Sequence, residues 1–351
     1  MKHLTLRTAA LSAAAVFALS ACAGDDNAGA GPNCDNSGDP NTVTVYSGRT
    51  EKLVAPLLNS IGEDVLGSGV RIEALYDQKP VKVLEEGGNS PADVWFGQDA
   101  GELGALAAEG YLGALPSQVL AAVPGQYVDP QNRWVGITLR SRVLAYDPRQ
   151  VPEAELPAGI DALFDEKWRG RIGYAPTNAS WKSFVTAMRL LRGEDGARDW
   201  LQKFKALAPV EFDRNGAALD AVDQGQVTFA LINHYYWFMK VAAQGADTVN
   251  AKIHYFKGAS EPGALVNIAA AGVLTCSNSK ESAAKVIEFL LAARAQQYFA
   301  DETGEYPVIA GVTSKHDLPT LTELSPPAID LNQLQSLPQT EALLREAGLL
   351  K

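Results

Sequence analysis

The sequence contains few residues of the kinds that build well-marked enzyme sites. Its 351 residues include 3 cysteines, 4 histidines and 3 methionines. Four motifs that mark common catalytic or cofactor sites are missing from it: HExxH, GxSxG, the Walker A loop and CxxC. Their absence excludes the best-marked enzyme classes.

Basic residues are scarce relative to acidic ones. There are 30 Lys and Arg against 41 Asp and Glu, for a net charge of -11. This balance argues against nucleic-acid binding and against polybasic attachment to anionic lipid. The apolar fraction of 46% is ordinary, and the length favours two domains because single cores stop growing near roughly 250–300 residues. The composition therefore predicts a soluble, acidic protein of two domains.

The N-terminus predicts export. Residues 1–21 begin with the positive Lys2 and Arg7 and continue as an apolar stretch that is too short to span a bilayer stably. The stretch leads into Leu19-Ser20-Ala21-Cys22, which looks like a bacterial lipobox. We expect cleavage before Cys22 and attachment of lipid to its thiol. Cleavage without a lipid is the alternative.

Residues 22–41 are rich in Gly, Asp and Asn and show no periodicity, which is typical of a flexible tether. With Cys22 carrying the lipid, Cys34 and Cys276 remain. Outside the cytoplasm an even number of cysteines suggests a disulfide, which would fasten the end of the tether to the body. The alternative is two unpaired thiols.

After the tether, strand and helix patterns alternate. The alternation runs from a β-rich segment at 42–46 to about residue 110 and restarts near 172. This order implies a parallel sheet with helices on both faces in each of two α/β lobes. We expect separate strands at 135–137 and 143–146, and separate helices at 181–191 and 197–207. Two such lobes form a cleft that closes about a hinge, and ligands bind beyond the carboxyl ends of the strands.

The most informative of the strand-end loops reads Asn233-His234-Tyr235-Tyr236-Trp237-Phe238. Adjacent tyrosines at a helix start lie about 100° apart, so a single core-facing stripe does not explain both. A helix N-terminus favours anions, including phenolates. Ferric iron prefers anionic oxygen donors, and tyrosinate is one of its ligands. The alternative is an aromatic helix start that lies half in the core and half on the rim.

Four segments in order carry a family resemblance. They are YSGR (46–49), PADVWFGQDAGELGALAAEG (91–110), RSRVLAYDP (140–148) and INHYYW (232–237). Together they resemble the periplasmic ferric-iron-binding proteins of ABC importers, over about residues 42–351. The resemblance implies a type II-like, two-lobe periplasmic-binding-protein fold. It also implies a protein that is not an enzyme, that traps Fe³⁺ in its cleft and that delivers the ion to an ABC transporter permease.

The resemblance also assigns roles to residues. Tyr235 and Tyr236 match the tyrosine pair that ligates iron in the family. The positions that match the binding site for a synergistic anion are Asn233, Asn215 and the helix start Asn178-Ala179-Ser180. Helix N-terminal N–H groups can bind such an anion without a basic residue.

Two positions depart from the family pattern. Thr50 stands where many relatives have a ligating histidine, and Gln98 stands where they have a ligating glutamate. Two phenolates leave Fe³⁺ with one uncompensated positive charge, and neutral Thr50 and Gln98 supply none of the balance. A carbonate, phosphate or citrate ion would supply it. Glu51 or Asp99 could instead approach the metal, but we expect both to face solvent at helix starts.

Other polar residues have weaker patterns. We expect His234 to be a hydrogen-bonded neighbour of the tyrosines rather than a ligand, and Asp93 to be structural. His254 and His316 are isolated. The remaining candidates are three arginines that either line the cleft or form salt bridges at the hinge: Arg49, Arg140 and Arg142.

The resemblance predicts lobe one at 42–140 plus 264–315 and lobe two at 141–263 plus 316–351, with two hinge crossings between them. We expect a monomer, attached to the membrane through its lipid only, in the periplasm or on the outer face of the cell membrane. A second hypothesis keeps the fold but makes the ligand a phosphorylated or other anionic small molecule. A secreted hydrolase is disfavoured because no nucleophile lies near a plausible base in the sequence.

Overall fold

The computed structural model describes residues 31–35 and 38–351. The predicted leader 1–21, the predicted lipidation site Cys22 and part of the predicted tether lie outside the described residues. Within them, the strands are β1 (Thr42–Ser47), β2 (Arg71–Leu75), β3 (Val94–Gly97), β4 (Val135–Tyr146), β5 (Ile172–Tyr174), β6 (Val210–Glu211), β7 (Phe229–Asn233), β8 (Lys252–His254), β9 (Val266–Val273) and β10 (Tyr306–Pro307). The helices are α1 (Glu51–Leu58), α2 (Glu63–Leu66), α3 (Pro80–Glu86), α4 (Ala100–Ala108), α5 (Ser117–Ala121), α6 (Ala179–Ala206), α7 (Asn215–Asp223), α8 (Tyr235–Gln244), α9 (Lys280–Leu291), α10 (Ala293–Tyr298), α11 (Leu321–Leu324) and α12 (Leu337–Glu346). None of these helices combines the length and the apolar content needed to cross a bilayer.

The strands form one long sheet in the order β2-β1-β3-β9-β4-β7-β5-β6. In its first half β1 pairs in parallel with β2 and β3, as the alternating pattern predicted. Strand β9 is antiparallel to both β3 and β4, so this half is mixed rather than purely parallel. In the second half β5 is parallel to β6 and β7, and β7 is antiparallel to β4.

Strand β4 corrects the prediction of two separate strands at 135–137 and 143–146. It is continuous over 12 residues and buried throughout. Its first part pairs with β9 and β10, and its last part pairs with β7 and β8. Arg140 and Arg142 lie inside the strand because their buried side chains find hydrogen-bond acceptors there. Strand β4 thus passes from one lobe to the other.

Two large clusters of buried side chains define the lobes. The first packs β1, β3 and β9 against α1, α4 and α9. The second is dominated by aromatic side chains of β5 and α6, among them Tyr174, Trp181 and Phe204. Such dense aromatic packing contributes strongly to the apolar area that is removed from water. A third cluster packs α7 against the other face of β7.

The C-terminal segment divides between these cores. Leu324 and Leu334 pack in the first core, whereas Leu343 and Leu344 pack in the second. The prediction that all of 316–351 belongs to lobe two therefore differs from the packing, because apolar residues before α12 cover α4 of the first lobe. The other lobe boundaries stay predictions.

The long helix α6 is interrupted at Gly193. This residue has φ 75° and ψ 170° inside the helical segment. A side chain is disfavoured at such a positive φ, which explains why the break falls on glycine. The prediction of two helices around this point is confirmed.

The structure contains a disulfide between Cys34 and Cys276, with an S–S distance of 2.06 Å. Residues around Cys34 lie on the first lobe, where the Asp35 N–H donates to the Gly88 carbonyl at 3.2 Å. A Cβ at Gly88 would lie 1.6 Å from the Asn33 carbonyl oxygen. The segment around Cys34 therefore packs so closely against residue 88 that only glycine fits there.

We expect the double variant Cys34→Ser/Cys276→Ser to lose about 3 kcal/mol of unfolding free energy. The bridge joins residues 242 apart, and cross-links that close long loops restrict the unfolded chain most. Urea unfolding of wild type and variant would measure the difference. Reductant should lower the midpoint of the wild type and leave that of the variant unchanged. Equal midpoints for the two proteins would show that the bridge adds no stability.

Candidate metal centre

Tyr235 and Tyr236 follow the buried end of β7 and begin α8. Although they start about 100° apart on the helix, their rings stack with centroids 4.4 Å apart and an interplanar angle of 27°. Both line a cavity of about 90 Å³. The complete lining is Arg49, Thr50, Leu53, Gln98, Tyr235, Tyr236 and Met239. The structure therefore brings together all four positions that were predicted as ligands.

Gln98 reaches the tyrosines from the opposite lobe. It lies between β3 and α4, and its Nε2 donates to Tyr235 Oη at 3.3 Å. Tyr235 falls in the segment predicted as lobe two, although its side chain is buried in the first core, so this hydrogen bond joins the two predicted lobes. A carboxamide brings a donor and an acceptor to the site but no negative charge.

Tyr235 is almost fully buried, with 2% of its surface exposed. Burial raises its pKa well above the ordinary value of a tyrosine, and the neighbouring Tyr236 raises it further. Arg49 and Arg140 act in the opposite direction. The Arg49 Cζ lies 5.8 Å from the centre of the Tyr235 ring. Ionisation of Tyr235 therefore needs a bound cation, which replaces the phenolic proton.

The charge of Arg49 is already balanced. Its Nη2 lies 2.8 Å from Glu305 Oε2, and both side chains are buried. Thr138 and Thr303 also donate their hydroxyls to the Glu305 carboxylate. Burial alone would raise the pKa of Glu305, but Arg49, Arg140 and the Thr303 hydroxyl hold it below the usual value. Arg49 thus shapes the wall of the cavity without adding net charge.

We expect Glu305→Gln to lower the unfolding free energy by about 3 kcal/mol at neutral pH. Removing one member of a buried ion pair leaves the other charge uncompensated. Since the folded-state pKa of Glu305 is below its unfolded value of 4.5, this stabilisation is present above pH 4.5 and is lost as the pH falls further. Urea unfolding at pH 7 and at pH 3.5 would measure the difference in unfolding free energy between variant and wild type, which should be smaller at pH 3.5.

The matched control for that experiment is Glu302→Gln. Glu302 pairs with Lys315 at 3.0 Å, but both side chains are more than half exposed. An exposed pair is worth about 0–1 kcal/mol, so this variant should remain near wild type at both pH values. A Glu305→Gln protein as stable as Glu302→Gln would contradict the assigned role of the buried pair.

Asp99 does not face solvent, which corrects the expectation from the sequence. It is 1% exposed and caps the N-terminus of α4 through the Gly101 N–H. Its Oδ2 also accepts hydrogen bonds from Arg140, Ser183 and Asn267 at 3.3, 2.6 and 2.7 Å. These bonds hold Asp99 in place and would be lost if it swung toward a metal. Glu51 is exposed, as expected.

Arg142 is a buried cation without a carboxylate partner. Its guanidinium donates to the Ser180 carbonyl and hydroxyl and to the Leu231 carbonyl, while its Nε has no partner. None of the ion pairs within residues 31–35 and 38–351 includes it. Burial lowers the pKa of Arg142 to about 9. An anion at this position would therefore relieve an unfavourable charge.

The residues predicted to bind the anion surround Arg142. Asn233 lies opposite it in the β4–β7 register, and the buried Nδ2 of Asn233 has no partner. The Nδ2 of Asn215, at the start of α7, donates to the Ser180 hydroxyl at 3.1 Å. The structure thus groups Asn178, Ala179, Ser180, Asn215 and Asn233 around Arg142, and none of the five lines the tyrosine cavity. Sequence reasoning included Arg142 only as one of three possible cleft arginines.

One detail differs from the predicted anion site. The Ser180 N–H donates to Asn178 Oδ1 at 3.0 Å, and the Ser180 hydroxyl donates to the same oxygen at 2.6 Å. Asn178 is the N-cap of α6, and its side chain satisfies the amide that was expected to contact the anion. Buried side-chain donors without partners around the site belong to Arg49, Arg140, Arg142 and Asn233.

His234 is a hydrogen-bonded neighbour of the tyrosines, as predicted. Its Nδ1 accepts from the Ser141 N–H at 3.2 Å, and its Nε2 donates to the Gly304 carbonyl at 2.8 Å. Burial lowers the pKa of His234 to about 4, so the ring is neutral with both nitrogens occupied. Asp93 is structural, since it accepts from the Thr44 N–H and the Ser277 hydroxyl. His, Cys, Asp and Glu form no cluster of three or more suited to a metal in the described part of the chain.

Two α/β lobes that meet over an ion-sized cavity define the class of extracytoplasmic solute-binding proteins. A model of the family described as "Bacterial extracellular solute-binding protein" matches residues 89–333. The chain belongs to this family and, within it, to the ferric-iron-binding periplasmic proteins.

Three similar proteins support the assignment. The Fe(3+)-binding periplasmic protein of Serratia marcescens is 31% identical over 310 residues, which cover 88% of this chain and 90% of that protein. The major ferric iron-binding protein of Neisseria meningitidis serogroup B is 30% identical, with 88% and 93% covered. The crystal structure of iron-bound HitA from Pseudomonas aeruginosa has a TM-score of 0.81 and 32% identity, with 88% and 99% covered. The resemblance and the two-lobe fold predicted from the sequence are confirmed.

Proposed function

We propose that this protein is a lipid-anchored solute-binding protein that captures Fe³⁺ together with an exogenous anion and delivers it to an ABC importer permease. Tyr235 and Tyr236 ligate the ion as phenolates, and Gln98 and Thr50 lie beside it without supplying charge. The protein binds and releases its cargo and does not transform it. Lipid on Cys22 would hold it at the membrane that contains the permease.

The observation that carries the proposal is the stacked tyrosine pair in a cavity of about 90 Å³. Fe³⁺ is a hard cation that prefers anionic oxygen. Two phenolates balance two of its three charges. Arg49 is balanced by Glu305, and Arg140 contacts Asp99, so neither carboxylate is free to balance the third. We infer that an exogenous anion supplies the missing negative charge.

Arg142 and Asn233 support this role for an anion. Both have buried nitrogen atoms without partners, and an anion that accepts hydrogen bonds from them would satisfy these donors while balancing the iron. The small cavity favours carbonate or phosphate over citrate. Asn215 and the start of α6 lie on the same side of the protein as Arg142, since the Asn215 amide and the Arg142 guanidinium both donate to the Ser180 hydroxyl.

A phosphorylated small molecule is the second candidate ligand. The unpaired charge of Arg142 and the loss of two ligating side chains at Thr50 and Gln98 favour it. Pockets for organic ligands usually measure about 300–1,000 Å³, and this cavity is far smaller. The dimensions therefore favour an ion with a small anion over a sugar phosphate.

Ferric titration of the mature, iron-free protein tests the proposal. We expect a visible phenolate-to-iron absorption band that grows to one ion per chain. The band should be strong with bicarbonate or phosphate and weak in anion-free buffer, because only the anion completes the charge balance. A full band without any anion would refute the charge argument. No band with any anion, together with binding of a sugar phosphate, would establish the second candidate.

A further inference from the structure

One buried hydrogen bond joins the two lobes next to the tyrosine site. The Ser183 hydroxyl donates to Asp99 Oδ2 at 2.6 Å, and both residues are buried. Asp99 caps α4, which packs in the first core. Ser183 lies in the second turn of α6, next to Phe184 of the second core. The bond therefore exists only when the lobes are together.

The two elements that this bond connects also carry the site. Asp99 directly follows Gln98, whose side chain contacts Tyr235 across the cleft. Helix α6 begins at the Asn178-Ala179-Ser180 segment, and Ser180 accepts a hydrogen bond from Arg142. A bond between Asp99 and Ser183 thus holds the loop that carries Gln98 against the helix whose start contacts Arg142.

Two other side chains that bind Asp99 belong to the sheet of the first lobe. Arg140 is in β4, Asn267 is in β9, and the two residues face each other in the β4–β9 register. Strand β9 packs in the first core together with α4, so these two bonds can persist when the cleft opens. Ser183 lies on a helix of the moving lobe, and its bond is the one that must break. Asp99 is therefore held within the first lobe and is bonded to α6 only while the lobes are together.

We propose that Asp99 and Ser183 form a closure latch that slows the release of iron. This inference rests on the proposed function, because it assumes that Fe³⁺ occupies the tyrosine site when the lobes are closed. Asp99 and Ser183 are positioning residues and contact neither the metal nor the anion. The latch acts on opening, so it sets the lifetime of the complex rather than the rate of capture.

Ser183→Ala tests the latch. The substitution removes one hydroxyl and leaves Asp99 with Arg140, Asn267 and the Gly101 N–H as partners. We expect the mature protein, loaded with Fe³⁺ and phosphate, to lose iron to an excess of chelator about tenfold faster than wild type, since a hydrogen bond to a charged acceptor is lost. The association rate measured by stopped flow should change less than twofold.

Thr186→Val is the matched control. Thr186 lies one turn further along α6, is equally buried, and shares a hydrogen bond with Thr340 of α12. Its hydroxyl does not reach α4, so release should match wild type even where urea unfolding shows a loss of stability. Ser183→Thr, which keeps the hydroxyl, should restore slow release.

The outcomes separate the latch from the proposed function. If wild type shows the absorption band and Ser183→Ala releases iron at the wild-type rate, the latch is wrong and the iron site stands. Equal acceleration in Ser183→Ala and Thr186→Val would also overturn it, since general loosening of α6 would then explain the effect. A wild type without the band would refute the proposed function itself.

Discussion

Replacing both Tyr235 and Tyr236 with phenylalanine should abolish the visible absorption band and lower ferric affinity by more than about a hundredfold. Substitution of groups that merely support a metal ligand already costs about 10–100-fold, and here the anionic donors themselves are removed. Each single variant should weaken and shift the band, because one phenolate remains. Absorption titration at fixed phosphate would measure both effects.

The double variant should fold normally. Phenylalanine keeps the two stacked rings. Burial already disfavours the ionised form of the Tyr235 hydroxyl, so folding does not depend on a phenolate at this position. Tyr255→Phe is the control, because Tyr255 packs beside the His234 ring but does not line the cavity. A band that persists in the double variant would assign the iron to other residues.

We expect Arg142→Met to remove the response to anions and to weaken ferric binding in phosphate by about a hundredfold. Loss of one member of a buried, hydrogen-bonded charge pair costs about 2–5 kcal/mol. The same substitution should leave the iron-free protein as stable as wild type or more stable, because it removes a buried charge that has no carboxylate partner. Ferric titrations over a series of phosphate concentrations and urea unfolding would test the two effects.

Arg133→Met is the control for this experiment, and we expect it to affect stability rather than ferric binding. Arg133 pairs with Asp129 at 2.8 Å on the first lobe and donates to the Ala107 carbonyl, away from the cavity. Its loss should reduce stability and leave ferric affinity unchanged. Wild-type anion dependence in Arg142→Met would show that the anion binds elsewhere.

Local patterns predicted much of the fold, and the family resemblance supplied the candidate ligands at the centre of the site. The adjacent tyrosines follow the buried strand β7 and Gln98 follows the buried strand β3, which lie in opposite halves of the sheet. Ligand-binding residues in such folds come from loops at the carboxyl ends of strands. The break at Gly193 follows from the local pattern around a glycine. The role of His234 as a neighbour was likewise readable from the motif.

The remaining features depend on contacts that are distant in sequence. Arg49 and Glu305 are 256 residues apart, and no local pattern pairs them. Asp99 looked exposed because acidic N-caps usually are, and its burial follows from Ser183 and Asn267 on other elements. The continuity of β4 was missed because two arginines interrupt the apolar pattern, although each has buried partners. The sequence signal for a continuous strand was the short segment Arg140-Ser141-Arg142, which is flanked on both sides by β-rich residues.

If Cys22 carries the proposed lipid, the disulfide would determine which lobe is attached to the membrane. Only 12 residue steps separate Cys22 from Cys34, and a chain of that length spans at most about 40 Å. Without the bridge to Cys276 the connecting segment would extend as far as β1. Because Cys276 follows β9 beside the first core, the first lobe would be the attached one and the second would be free to rotate. So short an attachment would also keep the protein at a high effective concentration near a permease in the same bilayer, so that weak docking would suffice for delivery.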